Sequence, residues 1–445
     1  MHGLDASLAI APNDHGDWLN QRREDFQTFL SVGERGVGSG VFARFGPGMQ
    51  TNRDAWVYNS SQSTLANSMT HTIHAYNAEV ARWQSSGESG DDQTAARFVS
   101  NDPTRVSWSR SLRAFLRRGA TSSYSPEAVA LAQYRPFQTQ FFYQDRVWNH
   151  EPGGVPATFP SGAANLCIYL TGPSAAMPFT ALVLANLPDQ ATYGAQSNGQ
   201  LFARWRYETA AEDGVLDFGT ESEAVEGYRR IDNITDEALK RFTAAYGSIT
   251  KDDIFFYVYG LLHSPEYRET YAADMKKMLP RIPLVEDPWP FVQAGRDLSD
   301  LHLGYESVTP YPLVGLDTQP PAGADPYDFY RVEKMAFAKV RDAETKKLVA
   351  DRTTVKYNSR ITLSGIPEAA YRYQLGSRSA VEWILDRYQV KTDKASGIVN
   401  DPNDWSKEVS DPRYIINLLA RIVTVSLETM TIVDSLPGLE IRVSQ

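Results

Sequence analysis

The sequence predicts an α+β fold, with helices and small sheets in separate runs. Three observations carry this. Apolar residues recur at helical spacing over 63–84, 109–119, 378–389 and 412–436. Residues 134–215 are instead strand-rich, with FQTQFFYQ, NLCIYLTG and FTALVLANL punctuated by Gly and Pro. Composition, at 42% hydrophobic and 22% charged over 445 residues, suits a globular chain with sizeable cores and length for two or three domains.

The elements follow in order. DWLNQRREDFQTFLSV (17–32) has helical spacing, with Trp18, Phe26, Phe29 and Leu30 as its apolar points. GVFARF (40–45) and AWVYN (55–59) read as short strands. A long amphipathic helix runs from Ser63 to about Gln84, and SRSLRAFLRRG (109–119) as a basic helix closed by Gly119. Residues 230–305 are helical. Asp232 or Thr235 can cap the first of these helices, and Ser264 the one at PEYRETYAADMKKML, which Pro280 stops. TPYPLVGLDTQPPAGADPYD (309–328) is a loop. FYRVEKMAFAKV, TTVKYN and RITL then suggest a small sheet.

Net charge is −10 with a pI near 5.3, which argues against a general polyanion binder. Residues 101–150 break the trend, with seven Arg against three acids, a local +4. The single cysteine, Cys167, lies in an apolar run, so no disulfide forms within the chain and a reducing cytoplasm is expected. The N-terminus lacks a basic, apolar leader, and no run of about 18 apolar residues stands out as a membrane span.

No catalytic constellation emerges. His71 and His74 have helical spacing but no acidic or Cys companions, so no metal site is assigned. His263 and His302 read as hydrogen-bonded structural residues. Asp252-Asp253 suits helix capping.

Several segments are more specific: TNRDAWVYN (51–59), YRPF (134–137), RRIDNITDEALKRF (229–242), DDIFFYVYGLLHSPEYRETYAADMKKMLPRIPL (252–284), AGRDLSDLHLGYE (294–306) and YNSRITLSGIPEAAYRYQLGSRSAVEWILDRYQVKTDKASGIVNDPNDW (357–405). Together they resemble the C-terminal part of type ISP restriction–modification enzymes. The resemblance implies the end of an adenine-N6 methyltransferase core over about 1–120 and a DNA target-recognition domain over 121–445. The methyltransferase signature Asn/Asp-Pro-Pro-Tyr/Phe is absent: the only Pro-Pro is Gln319-Pro320-Pro321-Ala322. GERGVGSG (33–40) lacks the GxGxxG spacing, and no GxxxxGK[ST] occurs. The chain therefore corresponds to a C-terminal piece or split subunit. S-adenosylmethionine, ATP and Mg²⁺ are implied only for a full enzyme, whose methyltransferase, helicase and nuclease parts would act in cis or in trans.

Duplex DNA is the expected partner, with no membrane. Reading base edges needs Arg for guanine and Asn or Gln for adenine, while Lys and Arg hold phosphates. Candidates are Arg113 and Arg117 on the basic helix; Arg135, Gln138 and Gln140 just after it; Lys356, Asn358 and Arg360; and Arg378 near a helix start. Segments recognisable across a family suit scaffold or phosphate roles, which directs the search for base readers to 185–228 and 309–352. The alternative reading is a protein-docking module of a defence complex without DNA affinity of its own.

Overall fold

The computed structural model describes residues 12–19, 21–34, 40–150, 158–160, 163–209, 224–225 and 228–442. Part of the glycine-rich stretch 33–40 and most of the 185–228 stretch beyond 209 lie outside the described residues.

Long helices form where a local cap coincides with apolar spacing. Ser61 accepts the Thr64 N–H and opens Gln62–Ser86, which Gly87 ends in the left-handed region at φ 70°. Thr235 opens Asp236–Tyr246, and Ser264 opens Pro265–Thr270 with Pro at its first position. Thr250 and Asp253 form a capping box at Lys251–Leu261, as do Ser379 and Glu382 at Ala380–Arg387.

A three-stranded antiparallel sheet sits between two cores, in the order Ala181–Leu184, Cys167–Leu170, Gln200–Ala203. Side chains alternate across it. Cys167, Tyr169, Leu182 and Leu184 face one core, and Ile168, Leu170, Ala181 and Val183 face the other. Burial on both faces explains why NLCIYL reads as continuous apolar sequence. The first core gathers the helices Gln62–Ser86 and Tyr414–Asp434. The second gathers Lys251–Leu261 and Trp289–Leu303. Gly260 and Gly295 let those two helices touch: a Cβ on either would collide with a backbone carbonyl of the other helix.

Four expectations change. Residues 17–32 form only a 3-10 turn, Asp25–Thr28, and a strand, Leu30–Ser31. Asn13 Oδ1 takes the N–H groups of His15 and Asp17, and Asp17 holds Arg22, so side chains compete with the helix for local bonds. Residues 40–45 make isolated bridges, with Phe42 joining Gly33 and Ile234, because the Val41 and Phe42 N–H groups bond Ser31 and Val32 while those of Ala43 and Arg44 turn to Asn233. The segment 55–59 is a helical turn, Asp54–Val57, running into the strand Tyr58–Asn59. Finally, Tyr414–Asp434 is long and apolar enough to cross a membrane by length and composition. Its Ile415, Leu418, Leu419 and Ile422 are buried in the first core. Its neighbours there are the helices Trp289–Leu303 and Ala380–Arg387.

Packing runs across residue 120 without a break. The strand Tyr58–Asn59 pairs with Gln138–Tyr143 in a sheet that also holds Val129–Arg135 and Leu187–Pro188.

His263 and His302 are buried. His263 Nδ1 lies 2.9 Å from the Tyr259 carbonyl. His302 bridges the Tyr259 hydroxyl, 2.6 Å away, and Thr429 Oγ1, 2.9 Å away. Burial drives both imidazoles down, His302 to about 3 and His263 well below the ordinary value, with Arg268 adding to the effect. In the unfolded chain both protonate near pH 6.5. The unfolded state therefore binds more protons between pH 6.5 and about 3, so stability falls as pH drops through that window. Two such groups should contribute a slope approaching ~2.7 kcal/mol per pH unit below pH 6. Urea midpoints from pH 7.5 to 4.5 should show it, and His302→Gln should remove about half.

Candidate nucleic-acid interface

A second basic stretch lies in residues 331–360, with nine Lys/Arg and four Asp/Glu, a net +5 on a chain of net −10. This segment builds a hairpin. Ala336–Arg341 pairs antiparallel with Leu348–Lys356, and Thr362–Ser364 adds a third strand at the inner end. The register shifts after Phe337, whose partner is Val355, while Ala338 pairs with Asp351. This bulge separates an anchored base, where Val355 is fully buried, from an outer ribbon exposed on both faces. Val340, Leu348 and Val349 are 46%, 63% and 41% exposed there, which a core strand would not tolerate.

Sequence dictates the tip. Asp342 Oδ1 accepts the Thr345 N–H and hydroxyl, and Lys346 takes a positive φ of 57° to close the turn. Those bonds hold the Asp342 carboxyl below its ordinary range; Thr353 does the same for Asp351. Lys339, Arg341 and Lys347 are exposed on the ribbon. Among the described residues neither Lys339 nor Lys347 has an ion-pair partner. At four paired residues per outer strand the ribbon extends roughly 13 Å before its turn. An antiparallel ribbon of this size fits the major groove, where its apolar side chains can meet thymine methyl groups.

At the foot lies an open cleft of about 460 Å³. Arg331, Lys334, Lys356, Asn358 and Arg360 line it, with Asp328 and Glu333. Lys356 is exposed. Arg360 bonds the Asp328 carboxylate at 3.0 Å and keeps its outer surface in solvent. Asn358 has no capacity left for a base: its amide donates to the Phe329 and Arg331 carbonyls and its oxygen accepts from the Arg360 and Ile361 N–H groups. Its assignment as an adenine reader is corrected to a loop brace.

The other predicted contacts fall elsewhere. Arg135 is buried, 2.8 Å from Asp189 Oδ1, with its guanidinium 3.8 Å above the Tyr134 ring. Gln138 and Gln140 are buried on the same sheet, and Gln140 accepts from Asn400. These three cannot reach base edges inside a paired duplex from the positions they hold, and their assignment as surface readers is corrected. The strand fixes this, because Gln138 and Gln140 share one inward face at a spacing of two. Arg113 makes a bidentate pair with Asp92, at 2.8 and 2.7 Å, clasping Arg110–Arg117 to Asp92–Phe98. Arg117 is exposed beside it. Arg378 lies half-exposed 5.1 Å over the Trp383 ring and 4.0 Å from Asp386. Glu382, four residues on, is engaged by Arg352 and by the Ser379 cap.

Sequence reasoning passed over Lys339, Arg341 and Lys347, although 309–352 had been set apart for base readers. The available signal was alternation in AFAKVR followed by a turn opened by Asp342 and closed at Lys346-Lys347.

Comparison with known proteins adds an independent line. No curated protein matches the chain. Solved structures do, each along 97% of this chain. A nuclease-deletion mutant of the type ISP restriction–modification enzyme LlaGI, in complex with a DNA substrate mimic, is 36% identical with a TM-score of 0.79. The ATP-dependent type ISP enzyme LlaBIII bound to DNA is 32% identical, TM-score 0.79, and a DrdV–DNA complex 31% identical, TM-score 0.75. The chain spans 30%, 26% and 40% of those proteins respectively. Residues 40–418 match the model of the Type ISP C-terminal specificity domain, and the chain belongs to that family.

Proposed function

We propose that this chain recognises a specific duplex DNA site for a restriction–modification system, with the ribbon at 336–356 as its main contact. The carrying observation is the exposed, cationic ribbon on an otherwise acidic chain. The DNA-bound state of the three similar structures supports the same reading. Arg331, Lys334, Lys356 and Arg360 at the foot serve phosphates, and Arg117 and Arg378 are outlying phosphate contacts. Methyl transfer, ATP-driven movement and cleavage belong to other parts of a larger cytoplasmic enzyme. This chain lacks the sequences that hold S-adenosylmethionine, ATP or Mg²⁺ in those reactions, so these cofactors are assigned to the partner parts.

Salt dependence tests this. With about four to six of these cations on phosphates at once, log K should fall with log salt at a slope of roughly −4 to −5. Fluorescence anisotropy on a pool of duplexes measures it. No binding at low salt, or a flat salt profile, would favour the docking-module alternative.

A further inference from the structure

A second cavity lies away from the ribbon, on the sheet that carries Arg135. It has a volume of about 300 Å³, at the small end of ligand pockets. Its floor is Tyr58, Tyr134 and Gln138, and its roof is the hairpin Lys391–Thr392 with Val399–Asn400. Asn400 pins the roof through the Ser60 N–H and hydroxyl and through Gln140.

Polar atoms here are left open. The Tyr58 hydroxyl and Gln138 Oε1 are buried with no hydrogen-bond partner, on side chains that are 1% and 4% exposed. Arg387 Nε is also buried and unpartnered. A buried acceptor without a donor is costly, so such groups point to something that fills the site. The openings are complementary to one chemistry. Gln138 Oε1 needs an N–H, the tyrosine hydroxyl can donate or accept, and the edges of Tyr58 and Tyr134, their ring centres 4.8 Å apart, add an aromatic lining. Arg387 and Lys391 bring positive charge to the cavity edge. A nucleotide offers all of these counterparts: adjacent donor and acceptor on a planar base, and an anionic phosphate.

We propose that this cavity takes one nucleotide unit, its base edge bonded by Gln138 Oε1 and the Tyr58 hydroxyl and its phosphate by Arg387 and Lys391. Burial is the largest cause lowering both the Arg387 and Lys391 pKa values, and it is opposed by the Asp386 carboxylate, 2.7 Å from Arg387 and 3.9 Å from Lys391. The nucleotide can be an extrahelical residue of bound DNA or a free mononucleotide. Only the first source rests on the DNA-reading proposal.

Two titrations separate the sources. Calorimetry with the four deoxynucleoside monophosphates reads free nucleotide. Anisotropy with a fully paired duplex and with one carrying a single-nucleotide bulge reads the extrahelical one. An expected gain of about tenfold for the bulge corresponds to one nucleotide's stacking and bonding. Gln138→Leu removes an acceptor that has no partner and one long bond, 3.4 Å, from its amide to the Arg387 carbonyl, so its melting temperature should fall little, yet binding to the cavity should be lost. Lys391→Ala, at the exposed rim, should weaken it as well. Bulge preference without mononucleotide binding assigns the site to DNA, and the reverse assigns it to free nucleotide. If the paired duplex binds but neither effect appears, or if both variants behave as wild type, the cavity proposal is overturned while DNA reading stands. If mononucleotides bind and no duplex does, the cavity stands and DNA reading falls.

Discussion

Replacing Lys339, Arg341 and Lys347 together with Gln is expected to weaken duplex binding by roughly 10²–10³-fold near 0.1 M salt. The same change should reduce the magnitude of the salt slope by about 2.7, because each lost phosphate contact removes ~0.9. All three side chains are exposed on the outer ribbon, so thermal stability should change by no more than about 0.5 kcal/mol. Lys346 stays unchanged in this variant because its positive φ holds the turn. Anisotropy against salt and a melting curve on the same preparation check both halves. An unchanged slope would move the contact surface to another face, the helix Arg110–Arg117 being the next candidate.

The second large effect falls on stability. Arg135→Ala should cost about 3–5 kcal/mol, since it leaves Asp189 buried without its cation. Burial already pushes the Asp189 carboxyl up to about 7. Removing both charges, as Arg135→Met with Asp189→Asn, should recover most of the loss. Chemical denaturation of the two variants measures this. The folded fraction of Arg135→Ala should bind duplex DNA as wild type does. A large affinity loss with intact stability would return Arg135 to the interface.

The ribbon cations and Arg135 show how much of the molecule was legible in its sequence. Caps at Thr235, Ser264 and Ser379 act over three or four residues, so the helices they open could be read directly. The strand-rich runs around Cys167 and Ala181 were also legible, because burial on both faces leaves continuous apolar sequence. Partnership between distant segments was not. Arg113 and Arg135 look available in a stretch of net +4, but their acids, Asp92 and Asp189, are supplied by other elements. A charge count cannot see that pairing. Asn358 likewise spends its amide on the carbonyls of Phe329 and Arg331, which only the folded loop brings near. The helix expected over 17–32 failed for a local reason, the side-chain bonds of Asn13 and Asp17. The bulge opposite Phe337 and Ala338 leaves residues 352–354 of the second strand without partners in the first, so the pairing of the two ribbon strands could not be read from their spacing.

The central claim is that the ribbon lies against DNA, and contact mapping tests it most directly. A photo-crosslinking amino acid placed at Val340, exposed on the outer ribbon, should attach to bound duplex DNA on irradiation, while the same probe at Lys240, exposed on the helix Asp236–Tyr246, should not. Crosslinks from Lys240 with none from Val340, under conditions where the duplex is bound, would contradict it.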